Sequence, residues 1–312
     1  MVDQAMTPQG DKKTLFITGT SRGLGRALGE AAVQAGHRIV GTVQSEAAAE
    51  AVEALGEGAR AEILDIADGD AIAAAVARTE REVGPIDVVV ANAGYGQEGT
   101  FEESTMEELR KLFDVNFFGA VATIKTVLPA MRERRSGHVI GVTSMGGLMT
   151  IPSVSFYHST KFALEGILGS LAKEVAPLGV KVTAVAPGSF RTEWAGTSLV
   201  RAPQRIADYE PIFAPLRAAR ELGSGNQLGD PAAAAKAILD VVEMEQPPVH
   251  LLLGSDALRL VGEDRARTDA EIRKWEELSR STDFPDGAQI ASTWGPRAPY
   301  ARPRPSPKRP CR

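Results

Sequence analysis

Between residues 14 and 91 short, wholly apolar runs alternate with segments of helical periodicity, and this alternation restricts the fold more than any other feature of the chain. The run Thr14-Leu15-Phe16-Ile17-Thr18 ends at Gly19 and has no polar face, which suits a strand buried on both sides of a parallel sheet. After a glycine-rich turn, residues 24–35 read as a helix stopped by Gly36 and residues 38–43 as a second strand, completing a βαβ unit. The pattern repeats through helix 46–55, strand 61–64, helix 70–83 and strand 87–91. Beyond it come a long helix over about 105–134, strand 138–143, helix 155–176, strand 180–185 and strand 249–253. Asp230 before Pro231 marks another helix start, an N-cap residue followed by proline at the first helical position. Seven strands and six or more helices predict a single domain over 12–295, a doubly wound α/β sheet with helices on both faces.

Three segments stand outside that pattern. Residues 186–229 contain Pro187, Pro203, Pro211 and Pro215 among mixed apolar and polar residues, and are expected to be an irregular flap inserted over a site at the carboxyl end of the sheet. Residues 1–11 form a polar leader expected to be flexible. Residues 296–312 are rich in proline and basic residues with no acid, the composition of an unfolded tail; a weak contact with an anionic surface and a merely solvated end are both open for it.

Charge and cysteine use narrow the function classes. Thirty-five basic against forty acidic residues give a net charge of -5, which offers no general attraction to nucleic acid or an anionic membrane. The one cysteine, Cys311, has no partner for an internal disulfide, which fits a reducing cytoplasm. No uninterrupted apolar run approaches the length of a bilayer span and the start lacks a signal-peptide core, so a cytoplasmic protein is the expectation.

The chemistry-bearing residues lie where the strands end. Thr18-Gly19-Thr20-Ser21-Arg22-Gly23-Leu24-Gly25 joins the first strand to its helix, where backbone N–H groups and the helix dipole can hold a pyrophosphate and a side chain would obstruct its approach. Such a setting belongs to the dinucleotide-binding, Rossmann arrangement of the doubly wound sheet. Tyr157 and Lys161 stand four apart, on one face of a helix, and a nearby ammonium favours a phenolate suited to acid-base work.

Taken together, these motifs resemble the short-chain dehydrogenase/reductase family over nearly all of residues 12–255. The family's glycine motif matches Gly19, Gly23 and Gly25; its N-N-A-G stretch appears as Ala91-Asn92-Ala93-Gly94, with alanine at the first position; its helix asparagine matches Asn116. Its serine matches Ser144, thirteen residues before Tyr157, its Y-x-x-x-K pair is Tyr157 and Lys161, and its P-G-x-x-x-T segment matches Pro187, Gly188 and Thr192. The resemblance implies an oxidoreductase in which Tyr157 is general acid and base, Ser144 bonds the substrate oxygen, Lys161 binds the nicotinamide ribose and lowers the Tyr157 pKa, and Asn116 holds a relay water. It further implies cofactor contacts from Gly19, Ser21, Arg22, Gly23, Leu24 and Gly25, from Asp65 and Ile66 at the adenine, and from Asn92, Ala93 and Gly94. Tyr157, Lys161, Pro187, Gly188 and Thr192 would complete that set, Thr192 at the carboxamide. Asp65 and Thr192 could instead serve as local caps.

Cofactor choice is read at the end of the second strand, where Thr42-Val43-Gln44-Ser45 lacks the carboxylate that would select NAD(H). Arg22 can pair with a 2'-phosphate and Ser45 can supply a hydrogen bond, so NADP(H) is favoured, with NAD(H) possible. Around the substrate the expected residues are Ser144, Tyr157, Tyr95, Leu148, Met149, Ile151, Trp194 and Phe213, mostly apolar, which suggests a hydrophobic alcohol or carbonyl compound. No metal site is expected. Asn116-Phe117-Phe118-Gly119, residues 190–194 and residues 275–284 resemble the branch with 17-beta-hydroxysteroid and retinol dehydrogenase members. The helices carrying Asn116 and Tyr157 are apolar on more than one face, so either a second copy covers them in a homodimer or homotetramer, or residues 255–284 fold back over them in a monomer. A non-catalytic NADP(H)-binding or redox-sensing protein is the alternative to the enzyme.

Overall fold

The computed structural model describes residues 12–193, 196 and 198–283. Along the chain it contains β1 (Thr14–Ile17), α1 (Gly23–Gln34), β2 (Arg38–Val43), α2 (Glu46–Glu53), β3 (Ala59–Ile63), α3 (Gly69–Glu82), β4 (Val88–Ala91) and β5 (Gly96–Glu98). Next come α4 (Met106–Phe113), a π-helical turn (Asp114–Gly119), α5 (Ala120–Arg134), β6 (Gly137–Val142), α6 (Ser155–Val175), β7 (Val180–Pro187) and β8 (Leu199–Arg201). The last elements are α7 (Glu210–Gly223), α8 (Pro231–Glu243), β9 (His250–Leu253), α9 (Ser255–Lys274) and α10 (Glu276–Arg280). The leader 1–11, Trp194 and the tail 296–312 with Cys311 lie outside the described residues, as does the boundary expected at 295. Residues up to Arg265 form one compact unit and those from Ala266 a second.

In the first unit seven strands form one parallel sheet in the order β3-β2-β1-β4-β6-β7-β9. The chain thus winds outward from β1 in one direction, returns, and winds outward from β4 in the other. β1 and β4 are neighbours at this reversal, with Leu15, Phe16 and Ile17 in register with Val88, Val89 and Val90. Here the loops at the carboxyl ends diverge and leave a crevice.

Successive β1 side chains point to opposite faces. Phe16 joins Val40, Val89, Val139, Ile72, Ile124, Leu164 and Leu168 beneath α3, α5 and α6. Leu15 and Ile17 join Ile39, Val88, Val90 and Ile140 beneath α1 and α8, with Leu28, Ile238 and Val242. Both faces are therefore core, which is why these strands carry no polar alternation. Each such side chain contributes about 1.5–3 kcal/mol by leaving water.

Two expectations need correction. The helix over 105–134 starts as expected, with Thr105 and Glu108 forming a capping box, but is not uniform: six residues from Asp114 to Gly119 wind as a π-helix between α4 and α5. The apolar periodicity runs through the interruption, so nothing in the pattern reveals it. The flap over 186–229 is not irregular throughout: β8 pairs in parallel with β5 as a second, two-stranded sheet, and α7 is a 14-residue helix. Pro211 falls in its first turn, where proline is tolerated, although Pro215 lies inside.

In the second unit the end of α9 is followed by α10, and Lys274 Nζ lies 5.2 Å from the Trp275 ring centroid.

Candidate active site

The turn after β1 is shaped by its glycines. Gly19 and Gly23 have φ of 72° and 60°, the left-handed region that a β-carbon disfavours. At Gly25 a β-carbon would collide with the Gly19 carbonyl and the Asn92 amide. Asn92 also holds the protein's own backbone: its Nδ2 donates to Thr18 O at 2.9 Å and Gly19 O at 3.1 Å, while Thr18 Oγ1 accepts from the backbone N–H groups of Asn92 and Ala93 at 2.9 Å each. Asn92 thus stitches the end of β4 to the glycine turn. Arg22 stands at the N-cap of α1 and its side chain makes no cap bond, so the N-cap residue leaves the first N–H groups of that helix to other acceptors. A narrow turn leading into a helix N-terminus at the strand reversal fits a dinucleotide pyrophosphate. Ser21 and Arg22 are exposed at its rim, and Arg22 Nε lies 3.9 Å from Glu193 Oε2. Leu24 packs partly buried beneath the turn.

Thr192 also reaches this turn, for a β-carbon on Gly23 would lie 3.7 Å from its Cβ. Pro187 ends β7, and Gly188 has no room for a side chain because Asp256 fills the space, its Oδ2 accepting from Ser189 N at 2.8 Å. At the end of β3, Asp65 Oδ1 accepts from Ala67 N at 2.9 Å, the local capping role, and Ile66 is buried against Gly119. Gln44 is exposed after β2, while Ser45 caps α2 by accepting from Ala48 N at 3.3 Å.

Four side chains meet at the next strand ends. Asn116, buried within the π-helical turn, accepts from Tyr95 N and donates to Tyr95 O, both at 2.9 Å, and donates to Thr160 Oγ1 at 3.3 Å. The widened turn lets this amide grip the β4 loop; a β-carbon on Gly94 would sit 3.0 Å from Asn116 Oδ1 and 3.7 Å from Lys161 Nζ. Ser144 follows β6 and caps a short 3-10 turn, Met145–Gly147, by accepting from Gly146 N at 3.0 Å. Its side chain is also hydrogen-bonded to Tyr157. Lys161 Nζ donates to Val142 O at 3.0 Å and lies 5.8 Å from the Tyr157 ring centroid.

Electrostatics here are governed by burial. Tyr157 is pushed up to about 12, burial outweighing the lowering by Ser144, and Lys161 is pushed down to about 8 by burial against the raising effect of Glu165. The drop of the Tyr157 pKa expected from Lys161 is therefore absent: removing a phenol from water disfavours its anion, and only the Ser144 bond opposes that effect.

Of the expected substrate residues, Tyr95 packs in a small apolar cluster with Tyr157, Leu112, Val154 and Phe156. Leu148 and the buried Met149 follow the Ser144 turn, and Ile151 is exposed beyond them. Phe213 is on α7, its ring centroid 5.7 Å from that of Tyr209 and tilted 53° to it, and lines a small recess with Ser153, Arg201 and Arg217. Sequence reasoning passed over His158, Thr143 and Glu165. His158 pairs with Gly146 O at 2.6 Å and accepts from Ile151 N at 3.1 Å, fastening the Ser144 turn to α6. Glu165 stands four residues beyond Lys161, a spacing that could have drawn notice.

The family model described as short chain dehydrogenase matches residues 13–200. An oxidoreductase of Botryotinia fuckeliana, BOA17, is 35% identical over 269 residues, covering 86% of this chain and 98% of its own. The human retinol dehydrogenase 8 is 32% identical over 259 residues, covering 76% of this chain and 80% of its own. A crystal structure of a short-chain dehydrogenase from Streptomyces avermitilis superposes with a TM-score of 0.82 at 39% identity, over 88% of this chain and all of that one.

Proposed function

Given that this chain belongs to the short-chain dehydrogenase family of oxidoreductases, we propose that it transfers a hydride between NADP(H) and an apolar alcohol or carbonyl compound, with Tyr157 as general acid and base. The observation that carries this reading is the convergence of Ser144, Tyr157 and Lys161 at the carboxyl end of β6, next to the β4 end that Asn92 ties to the glycine turn. When bound, the dinucleotide supplies the hydride. In reduction, Tyr157 donates its hydroxyl proton to the substrate oxygen as that oxygen gains charge, and Ser144 donates a hydrogen bond to the same atom. Lys161 holds positive charge near the resulting phenolate, and Asn116 fixes the β4 loop through Tyr95. In oxidation the proton runs the other way. The missing carboxylate after β2 and the placement of Arg22 support NADP(H), and the cluster around Tyr95 and Tyr157 supports an apolar substrate.

The test is binding of NADPH and NADH, followed by loss of the reduced nicotinamide absorbance with a panel of apolar ketones and aldehydes. Tyr157→Phe should keep NADPH binding and lose at least about a hundredfold in turnover. Wild-type turnover in Tyr157→Phe, or binding of neither dinucleotide, sinks the reading.

A further inference from the structure

Tyr157, Lys161 and Glu165 recur every four residues and share one face of α6. Three consecutive residues at the end of β6 each meet one of them: Ser144 bonds Tyr157, the Val142 carbonyl accepts from Lys161 Nζ at 3.0 Å, and Thr143 Oγ1 donates to Glu165 Oε1 at 2.5 Å. The same turn closes on the helix at Gly147, where a β-carbon would sit 2.9 Å from Lys161 O and 3.0 Å from Glu165 Cγ. From the other side His250 on β9 reaches Glu165 Oε2, with Nδ1 at 2.9 Å. The Glu165 side chain is only 7% exposed, whereas His250 is 46% exposed and opens to solvent.

A buried carboxylate is costly unless charge or hydrogen bonds compensate it. Two oxygens held by two different strands fix it with more constraint than a surface acid needs, directly beneath the lysine of the active site. The titratable groups that face it are Lys161 on its own helix and His250 on β9; β6 presents only the neutral Thr143, and the Ser144 turn only backbone.

We propose that Glu165 is the positioning residue of Lys161: clamped by Thr143 and His250, its carboxylate keeps the lysine charged beneath Tyr157. The role builds on the hydride-transfer reading above. Burial pulls the Lys161 pKa down, and Glu165 is the one charge opposing that pull, the balance lying at about 8. Removing the carboxylate lets Lys161 lose its proton at lower pH, and the alkaline limb of activity follows it downward.

Full-length protein carrying lysine labelled with carbon-13 at Cε reports the Lys161 titration directly, the signal being assigned by its loss in Lys161→Met. In Glu165→Gln the midpoint should fall by about one pH unit, and the alkaline limb of the kcat/KM profile should move by the same amount. Glu165→Asp, which keeps the charge, should hold both near wild type; His250→Gln, which keeps a donor, should change them little. An unchanged Lys161 midpoint in Glu165→Gln overturns the proposal, as does an equal displacement in the Asp and Gln variants, which would mark a packing role. A midpoint that moves while the activity limb stays fixed overturns the catalytic part. If the wild type turns over no substrate, the hydride-transfer reading fails, and the midpoint still decides whether Glu165 governs Lys161.

Discussion

At the rim of the glycine turn, Arg22 and Glu193 face each other at 3.9 Å, both side chains at least half exposed. A pair so open to water is worth little. A 2'-phosphate, with more charge and better acceptors, would compete for the guanidinium effectively. Arg22→Ala should therefore weaken NADPH binding about ten- to a hundredfold and leave NADH binding nearly unchanged, since one charge-assisted bond is worth about 1.5–3 kcal/mol. Fluorescence titration with both dinucleotides checks this, and an equal loss for the two would remove Arg22 as the selecting residue. At this scale the sequence was most legible where a residue type has few uses. Gly19, Gly23 and Gly25 are dictated by backbone conformation and crowding, and a glycine motif after a strand announces that. Asn92 and Asp65 were less legible: polar side chains near a ligand site can as readily hold the protein's own backbone, and here both do.

Between elements, the parallel strands were read from runs apolar on both faces, and the sheet buries both faces. The π-helical turn, β5, β8 and α7 were not. A π-turn adds a residue to one helical turn without changing composition, and the three-residue strands β5 and β8 exist only because they pair with each other across about a hundred residues of chain. The stretch Met106–Arg134 is long and apolar enough to cross a membrane by length and composition, yet Leu112, Ile124, Val127 and Met131 are buried in this protein's own core. On β6, His138 is buried with Nε2 2.9 Å from Thr183 Oγ1, and burial lowers its pKa to about 4. A histidine depressed from 6.5 stabilises the fold above that pH, and the contribution is lost as pH falls toward 4. That loss is of order 3 kcal/mol. His138→Gln should accordingly flatten the decline of the urea midpoint between pH 6.5 and 4, and an unaltered pH dependence would show that other groups cause it.

For the molecule as a whole, apolar side chains are left open to solvent in several places, among them the two helical segments that carry the site. Phe118 in the π-helical turn is 56% exposed and Phe162, next to Lys161, is 43% exposed. Exposed aromatic side chains on such faces are what the homodimer or homotetramer expected as one alternative from the sequence would cover. Sedimentation should then give a multiple of 33.1 kDa, and Phe118→Lys should shift it toward the monomer while the melting temperature stays near wild type. A monomeric wild type at tens of micromolar rules the assembly out.

Local periodicity and backbone conformation were enough to foresee the layers, the direction of the strands, the glycine turn and the Tyr157–Lys161 spacing. Long-range packing was needed to place Asn116 in a widened turn gripping Tyr95, to give Val142, Thr143 and Ser144 each a different residue of α6 to hold, and to make burial dominate the charge state of the Tyr157–Lys161 pair. Those features depend on which distant segments come within a few ångströms and on how much water their packing excludes, and neither quantity is carried by residue order along a single element.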